Sequence, residues 1–225
     1  MEKIFVTGTD TEVGKTLVSS SLMLQAQQNG FKVAGCKPVA SGSTLVDNTH
    51  YNPDALELQR YSNIKLTYQE INPYLFEQAA APHILSQKEN VDISLSKLIK
   101  NCKQLTHKAD TLIIEGAGGW EVPLNTTDSL ADLATQLECN IVLVVSIKLG
   151  CINHAILTQQ SIAQRGLQLL GWVANHPKPH TPYATEIVAD LQQRLNCQML
   201  ANIPYKRELT ATDTQEYFSH NIFNL

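Results

Sequence analysis

A chain of 225 residues with 43% hydrophobic content can bury a sizeable core, which excludes a disordered segment and a disulfide-stapled miniature domain. The formal net charge of -4 leaves no polybasic footprint for nucleic acid, and the longest apolar run, Ile141 to Val145, falls far short of the roughly 20 residues a membrane span needs. Five cysteines without C-x-x-C spacing fit reduced thiols, and His176 and His180 are separated by Pro177 and Pro179, which forbid the helix a metal pair would need.

The first residues, Met1 to Val6, read as a strand that runs into a glycine loop and lack the features of a signal peptide, so a cytoplasmic location is expected. Within this segment Lys3 to Thr7 is the predicted strand, and Lys15 to Gln28 a helix stopped by Gly30. Phe31 to Lys37 reads as a second strand ended by Pro38. Residues 39 to 90 carry turn signals such as Asn52-Pro53-Asp54 and Asn72-Pro73-Tyr74, and are expected as short helices and loops shaping a site. Ile93, Leu95, Leu98, Ile99, Cys102 and Leu105 follow helical spacing, and Thr111 to Ile114 is a buried strand ending in Glu115. A helix over Leu130 to Glu138 precedes Asn140 to Ile147, whose continuous apolar run suits the middle of a parallel sheet. The chain continues with a helix from Ala155 to Arg165, a strand from Leu169 to Ala174, a helix from Pro182 to Leu195 and a short strand from Gln198 to Ile203. Strands alternating with helices predict an α/β fold with a mostly parallel sheet, helices on both faces and one domain over residues 1 to 225.

Gly8-Thr9-Asp10-Thr11-Glu12-Val13-Gly14-Lys15-Thr16 follows a strand and opens a helix, the context of a P-loop. Gly14 admits phosphate close to the backbone, and the N–H groups around Glu12 to Thr16 favour an anion. Lys15 would reach the β- and γ-phosphates, and the Thr16 hydroxyl would ligate Mg²⁺. Five residues, not four, separate Gly8 from Gly14. Glu115, at the carboxyl end of a buried strand, stands where ligands of open parallel sheets collect, and Gly116-Ala117-Gly118-Gly119 after it offers free N–H groups. Asp54, after Pro53, reads by itself as a helix cap for Ala55 to Arg60 rather than a metal ligand. Lys37, at the end of its strand, is either a solvated lysine or a group that stabilises charge on a transferred phosphoryl.

Together these stretches resemble the dethiobiotin synthetase family. The resemblance runs through Val6 to Thr16, Lys37-Pro38-Val39-Ala40-Ser41-Gly42, Asp54-Ala55, Glu115 to Trp120, Lys148 to His154 and Gly171 to Asn175, nearly the whole chain. It implies ATP-dependent closure of a ureido ring from 7,8-diaminononanoate and CO₂, with Mg²⁺ as cofactor and ATP and CO₂ as co-substrates. Lys37 and Lys15 are then the catalytic cations, and Thr16, Asp54 and Glu115 hold the metal, which raises Asp54 from cap to ligand. ATP is expected on Glu12, Val13, Gly14, Lys15, Thr16, Leu17, Asp54, Glu115, Gly116, Ala117 and Gly118, with Asn175, His176, Pro204, Tyr205 and Lys206 around the base. Thr11, Lys37 and Ser41 would meet the diamine or carbamate. Leu149, Gly150, Cys151 and Asn153 would take its carboxylate tail from a neighbouring subunit, which implies a homodimer. Two positions depart from the family pattern: Ile187 where a tyrosine is common, and Ala211 where an acid would meet the ribose. The other readings are a partition or positioning ATPase, which would carry a lysine in place of Asp10, a corrinoid amide ligase, whose glutaminase domain has no counterpart here, and a plain nucleotide-binding module.

Overall fold

The computed structural model describes residues 1–219 and 221–223. The chain runs β1 (Glu2–Gly8), α1 (Lys15–Gln28), β2 (Val33–Cys36), β3 (Val39–Ser41), β4 (Thr44–Val46), β5 (Thr49–Tyr51), α2 (Pro53–Arg60), α3 (Tyr68–Ile71), β6 (Tyr74–Phe76), α4 (Pro82–Glu89), α5 (Leu95–Thr106), β7 (Thr111–Glu115), α6 (Leu130–Gln136), β8 (Asn140–Ser146), α7 (Cys151–Gln164), β9 (Leu169–Asn175), α8 (Ala184–Arg194) and β10 (Met199–Ile203), and closes with a 3₁₀ turn over Asp213–Tyr217. Six strands form one parallel sheet in the order β10-β9-β8-β1-β7-β2.

Alternation along β8 explains why this sheet needs helices on both faces. Leu143 and Val145 pack with Cys151 and Ala155 of α7 and Leu191 of α8. Val142 and Val144 belong to the larger core with Val18, Leu22 and Ala26 of α1. A strand buried on both sides has no polar face to spare, hence its unbroken apolar run.

The register positions the site. Val6 lies opposite Glu115, Gly8 opposite Val144, and Cys36 opposite Ile114. The P-loop, Lys37 and Glu115 therefore emerge side by side at the carboxyl edge of the sheet. The second strand is shorter than expected, ending at Cys36; the Lys37 N–H leaves the ladder and donates to Ile71 O at 2.8 Å. The region expected as short helices and loops also holds strand pairs, β3 with β6 in parallel and the β4–β5 hairpin. Three-residue strands are too short for alternation to register in the sequence. The helix expected from Ala155 begins a turn earlier, at Cys151, behind Gly150 with φ +90.

Candidate active site

The P-loop turns tightly because Glu12 and Gly14 both adopt positive φ, 55 and 97. That conformation is costly for a residue with a side chain such as Glu12 and turns successive N–H groups toward one concavity. At Gly14 a Cβ would lie 2.3 Å from Asn175 Nδ2, so only glycine fits. Asn175, the last residue of β9, donates that amide to Val13 O at 2.8 Å and braces the loop from outside. This bracing is a contact the sequence did not reveal, because residues 13 and 175 meet only through the sheet.

Lys37, almost wholly buried, is the centre of the site. Its ammonium donates to Glu115 Oε1 at 2.6 Å, to Asp54 Oδ2 at 3.0 Å and to Gly116 O at 3.2 Å. The Thr16 hydroxyl donates to the same Glu115 Oε1 at 3.0 Å. Burial pulls the Lys37 pKa down, but the Glu115 and Asp54 carboxylates outweigh it, and the net direction is upward. Burial likewise pushes Asp54 up, while Lys37 and the Thr16 hydroxyl draw it below its usual range. Lys15 behaves in the opposite way. Burial, then repulsion from Lys37, brings its ammonium down to about 8 against the pull of Glu115, Asp54 and Asp10. Its Nζ donates to Asp10 O at 2.9 Å.

Asp54 is not the helix cap that its local sequence offered. Asn52 caps α2, accepting from Ala55 N at 3.1 Å, with Pro53 and Asp54 in the first turn. Asp54 is thereby free to face Lys37. An asparagine directly before a proline at a helix start was the signal that could have assigned the cap.

A cleft of about 720 Å³ opens above these groups. Asp10, Thr11, Glu12, Lys15, Lys37, Ser41, Asn52 and Asp54 form its charged side, with Ala117, Gly118 and Gly119 at its edge. Ala79, Ala80, Ala81, Pro82 and Val122 form an apolar side that sequence reasoning missed, since alanines in a loop carry no chemical signal. A depression of equal volume lies at the opposite, amino edge of the strands, lined by Met1, Glu2, Lys3, Phe31, Asp110, Thr111, Glu138 and Asn140, away from the P-loop, Lys37 and Asp54.

The other expected site residues fall into separate groups. His176, Pro204 and Tyr205 line a neighbouring depression of about 590 Å³, where His176 Nε2 pairs with Asn202 Oδ1 at 2.8 Å. Lys206 turns to Glu216, at 3.1 Å, and the Tyr217 ring. Leu17 sits half-buried in the first turn of α1. Leu149, Gly150, Cys151 and Asn153 do not line the cleft of their own chain; Leu149 is 97% exposed, and Cys151 is buried, with its N–H donating to Lys148 O at 3.1 Å. Lys148 itself pairs with Asp10 Oδ2 of the P-loop at 3.0 Å.

Thr16 Oγ1 and the Asp54 and Glu115 carboxylates make a hard, all-oxygen donor set. Among the described residues, Glu115 Oε2 is buried without a hydrogen-bond partner. An orphaned carboxylate oxygen beside a hydroxyl and a second carboxylate suits a magnesium ion, which takes one or two carboxylates and completes its shell with phosphate and water.

A family model described as an AAA domain matches residues 2–213. The chain is 46% identical over 204 residues to the ATP-dependent dethiobiotin synthetase BioD of Pseudescherichia vulneris, covering 91% of this chain and 85% of that protein. It is 40% identical over 222 residues to the protein of that name from Vibrio vulnificus strain YJ016, covering 99% and 98%. Among solved structures, the septum site-determining protein MinD with Mg-ADP from Pyrococcus horikoshii matches with TM-score 0.58 at 19% identity, over 98% of this chain and 90% of that one. A ParA family ATPase from Chlorobium tepidum matches with TM-score 0.58 at 12% identity, over 92% and 87%. At these low identities the two structures share the fold alone.

Proposed function

The chain belongs to the ATP-dependent dethiobiotin synthetase family, and from that premise we propose how its residues close the ureido ring of dethiobiotin, the penultimate step of biotin synthesis. The substrates are 7,8-diaminononanoate (diaminopelargonate), CO₂ and ATP. One amine adds to CO₂ and loses a proton, giving a carbamate. A carbamate oxygen attacks the γ-phosphorus and ADP departs, leaving a mixed carbamic-phosphoric anhydride. The second amine attacks the carbamoyl carbon, and phosphate leaves as the ring closes.

Phosphoryl transfer asks a protein for position and positive charge more than for covalent help. The N–H groups of Glu12 to Leu17, with the Gly116-Ala117-Gly118 turn, carry the triphosphate. Lys15 neutralises its outer oxygens, and Lys37 stabilises charge on the transferred group. Thr16, Asp54 and Glu115 hold Mg²⁺, which when bound neutralises phosphate oxygens. Thr11 and Ser41 position the carbamate, and the apolar side of the cleft suits the methylene chain. Asn175, His176 and Pro204 to Lys206 receive the base. Leu149 to Asn153 serve the carboxylate tail in a neighbouring copy, so the working unit is a homodimer of single-domain subunits in the cytoplasm. The exposure of Leu149 outside its own cleft supports that reading. Among the described residues, no helix is long and apolar enough to cross a membrane.

The observation that carries the proposal is Lys37 buried between Glu115 and Asp54, beside Thr16 and Lys15, in a chain similar to named synthetases over 222 residues. Purified protein given the diamine, bicarbonate and Mg-ATP is expected to release ADP and phosphate, with dethiobiotin visible by mass spectrometry. ATP turnover that ignores the diamine would overturn the reading.

A further inference from the structure

Arg165 caps the carboxyl end of α7, far along the chain from the P-loop, yet it grips the loop that walls the cleft. Its Nε and Nη2 donate to the two oxygens of Glu121 at 2.9 and 2.7 Å. Ser161, one turn back on α7, adds a bond to Glu121 Oε1 at 2.5 Å. The remaining arm, Nη1, donates to Asp132 Oδ1 at 2.6 Å. The other oxygen of Asp132 accepts from Ser129 N and Oγ in the capping box of α6. A planar guanidinium that engages two carboxylates in this way, three-quarters covered, is a far stiffer device than a single exposed ion pair.

What it stiffens is Val122. Glu121 is the residue just before it, and Leu130 N, at the start of α6, donates to Val122 O at 2.9 Å. One guanidinium thus fixes both sides of that valine. Before Glu121, Trp120 is buried edge-on against Phe5, with ring centroids 6.0 Å apart. The Val122 side chain lines the cleft and stands against Gly118, whose added Cβ would meet Val122 Cγ2 at 3.3 Å and Thr11 Cγ2 at 3.7 Å.

We propose that Arg165 is a positioning residue for the diamine: through Glu121 and Asp132 it holds Val122 as the apolar wall beside Thr11 against which the diamine is oriented. The inference rests on the reading that the diamine occupies this cleft.

The test compares wild type, Arg165→Gln, Val122→Ala and the double variant in steady-state synthesis. The KM for the diamine is expected to rise about tenfold in Arg165→Gln, with the KM for ATP within about twofold. The double variant is expected to be no worse than the more impaired single one, because both changes remove the same wall. Should Arg165→Gln fail to fold, Arg165→Lys keeps the charge but loses the fork, and is expected to show the same selective rise at about threefold. Unchanged diamine KM, equal rises in both KM values, or strictly additive effects would overturn the inference while leaving the synthetase reading intact. A wild-type protein without diamine-dependent turnover would instead overturn that reading, and the inference with it.

Discussion

Lys15 and Lys37 are both buried lysines at one site, and their surroundings move them in opposite directions. Lys37 has two carboxylates within 3.0 Å and keeps its proton. Lys15, whose Nζ meets the carbonyl of Asp10, has its pKa lowered from 10.5 to about 8. Between those two values the unfolded chain binds more protons at Lys15 than the folded one does. Its penalty on stability is therefore fully present below pH 8 and fades as pH rises toward 10.5. A triphosphate beside the ammonium reverses the shift. ATP binding at about pH 9 is expected to take up a proton at Lys15, and at pH 7 it is not. Titration calorimetry in buffers of different ionisation enthalpy reads this directly; buffer-independent heats at the higher pH would refute it. For Lys37, replacement by glutamine is expected to lower turnover by about 10²–10³-fold, the cost of losing one preorganised charge partner. Its contact with the buried Glu115 carboxylate adds a folding cost that the sequence does not anticipate. Glu115, fully buried, loses its ammonium partner, and urea unfolding is expected to show a loss of about 3 kcal/mol.

Among the helices that carry expected site residues, α2 places its own through a side-chain cap, whereas α1 and α7 start behind Gly14 and Gly150 without one. In α2 the cap is Asn52, which also donates to Gly42 O at 2.8 Å, while its own N–H donates to the Tyr68 hydroxyl at 2.8 Å. It ties the start of the helix to the segment that follows Ser41. Asn52→Ala is expected to cost about 1–2 kcal/mol in urea unfolding and to weaken Mg-ATP binding, because Asp54 loses its fixed first turn. Equal loss of stability with unchanged nucleotide affinity would show that Asp54 is held by Lys37 alone. Most of the long elements were legible: the helix from Lys15 to Gln28 matches at both ends, since a P-loop opens it and Gly30, at φ +82, closes it. Legibility failed between residues 39 and 90, where strands of three residues bury too little to leave a period.

At the scale of the molecule, the segment from Leu149 through α7 carries exposed apolar groups beside expected site residues. Leu149 is 97% and Leu157 55% exposed. Leu157→Glu is expected to shift a dimer toward monomer in sedimentation equilibrium, and to raise the KM for the diamine more than that for ATP. A wild-type protein that sediments as a monomer with full activity would refute the shared site.

The sequence by itself determined the phosphate loop, because a P-loop is local: a strand, a glycine that accepts positive φ, and a helix whose first N–H groups need an anion all lie within residues 2 to 28. It also determined the buried parallel strands, whose apolar runs can be satisfied only between two layers. Tertiary structure alone decided the rest. Thr16 and Glu115 are 99 positions apart, Lys37 and Glu115 78, and Val13 and Asn175 162. A lysine, an aspartate after a proline and an asparagine at a strand end have innocuous local readings. They become a charge cluster and a brace only when crossovers bring the carboxyl ends of separate strands together, where Lys37 and Glu115 are too deeply buried to remain unpaired.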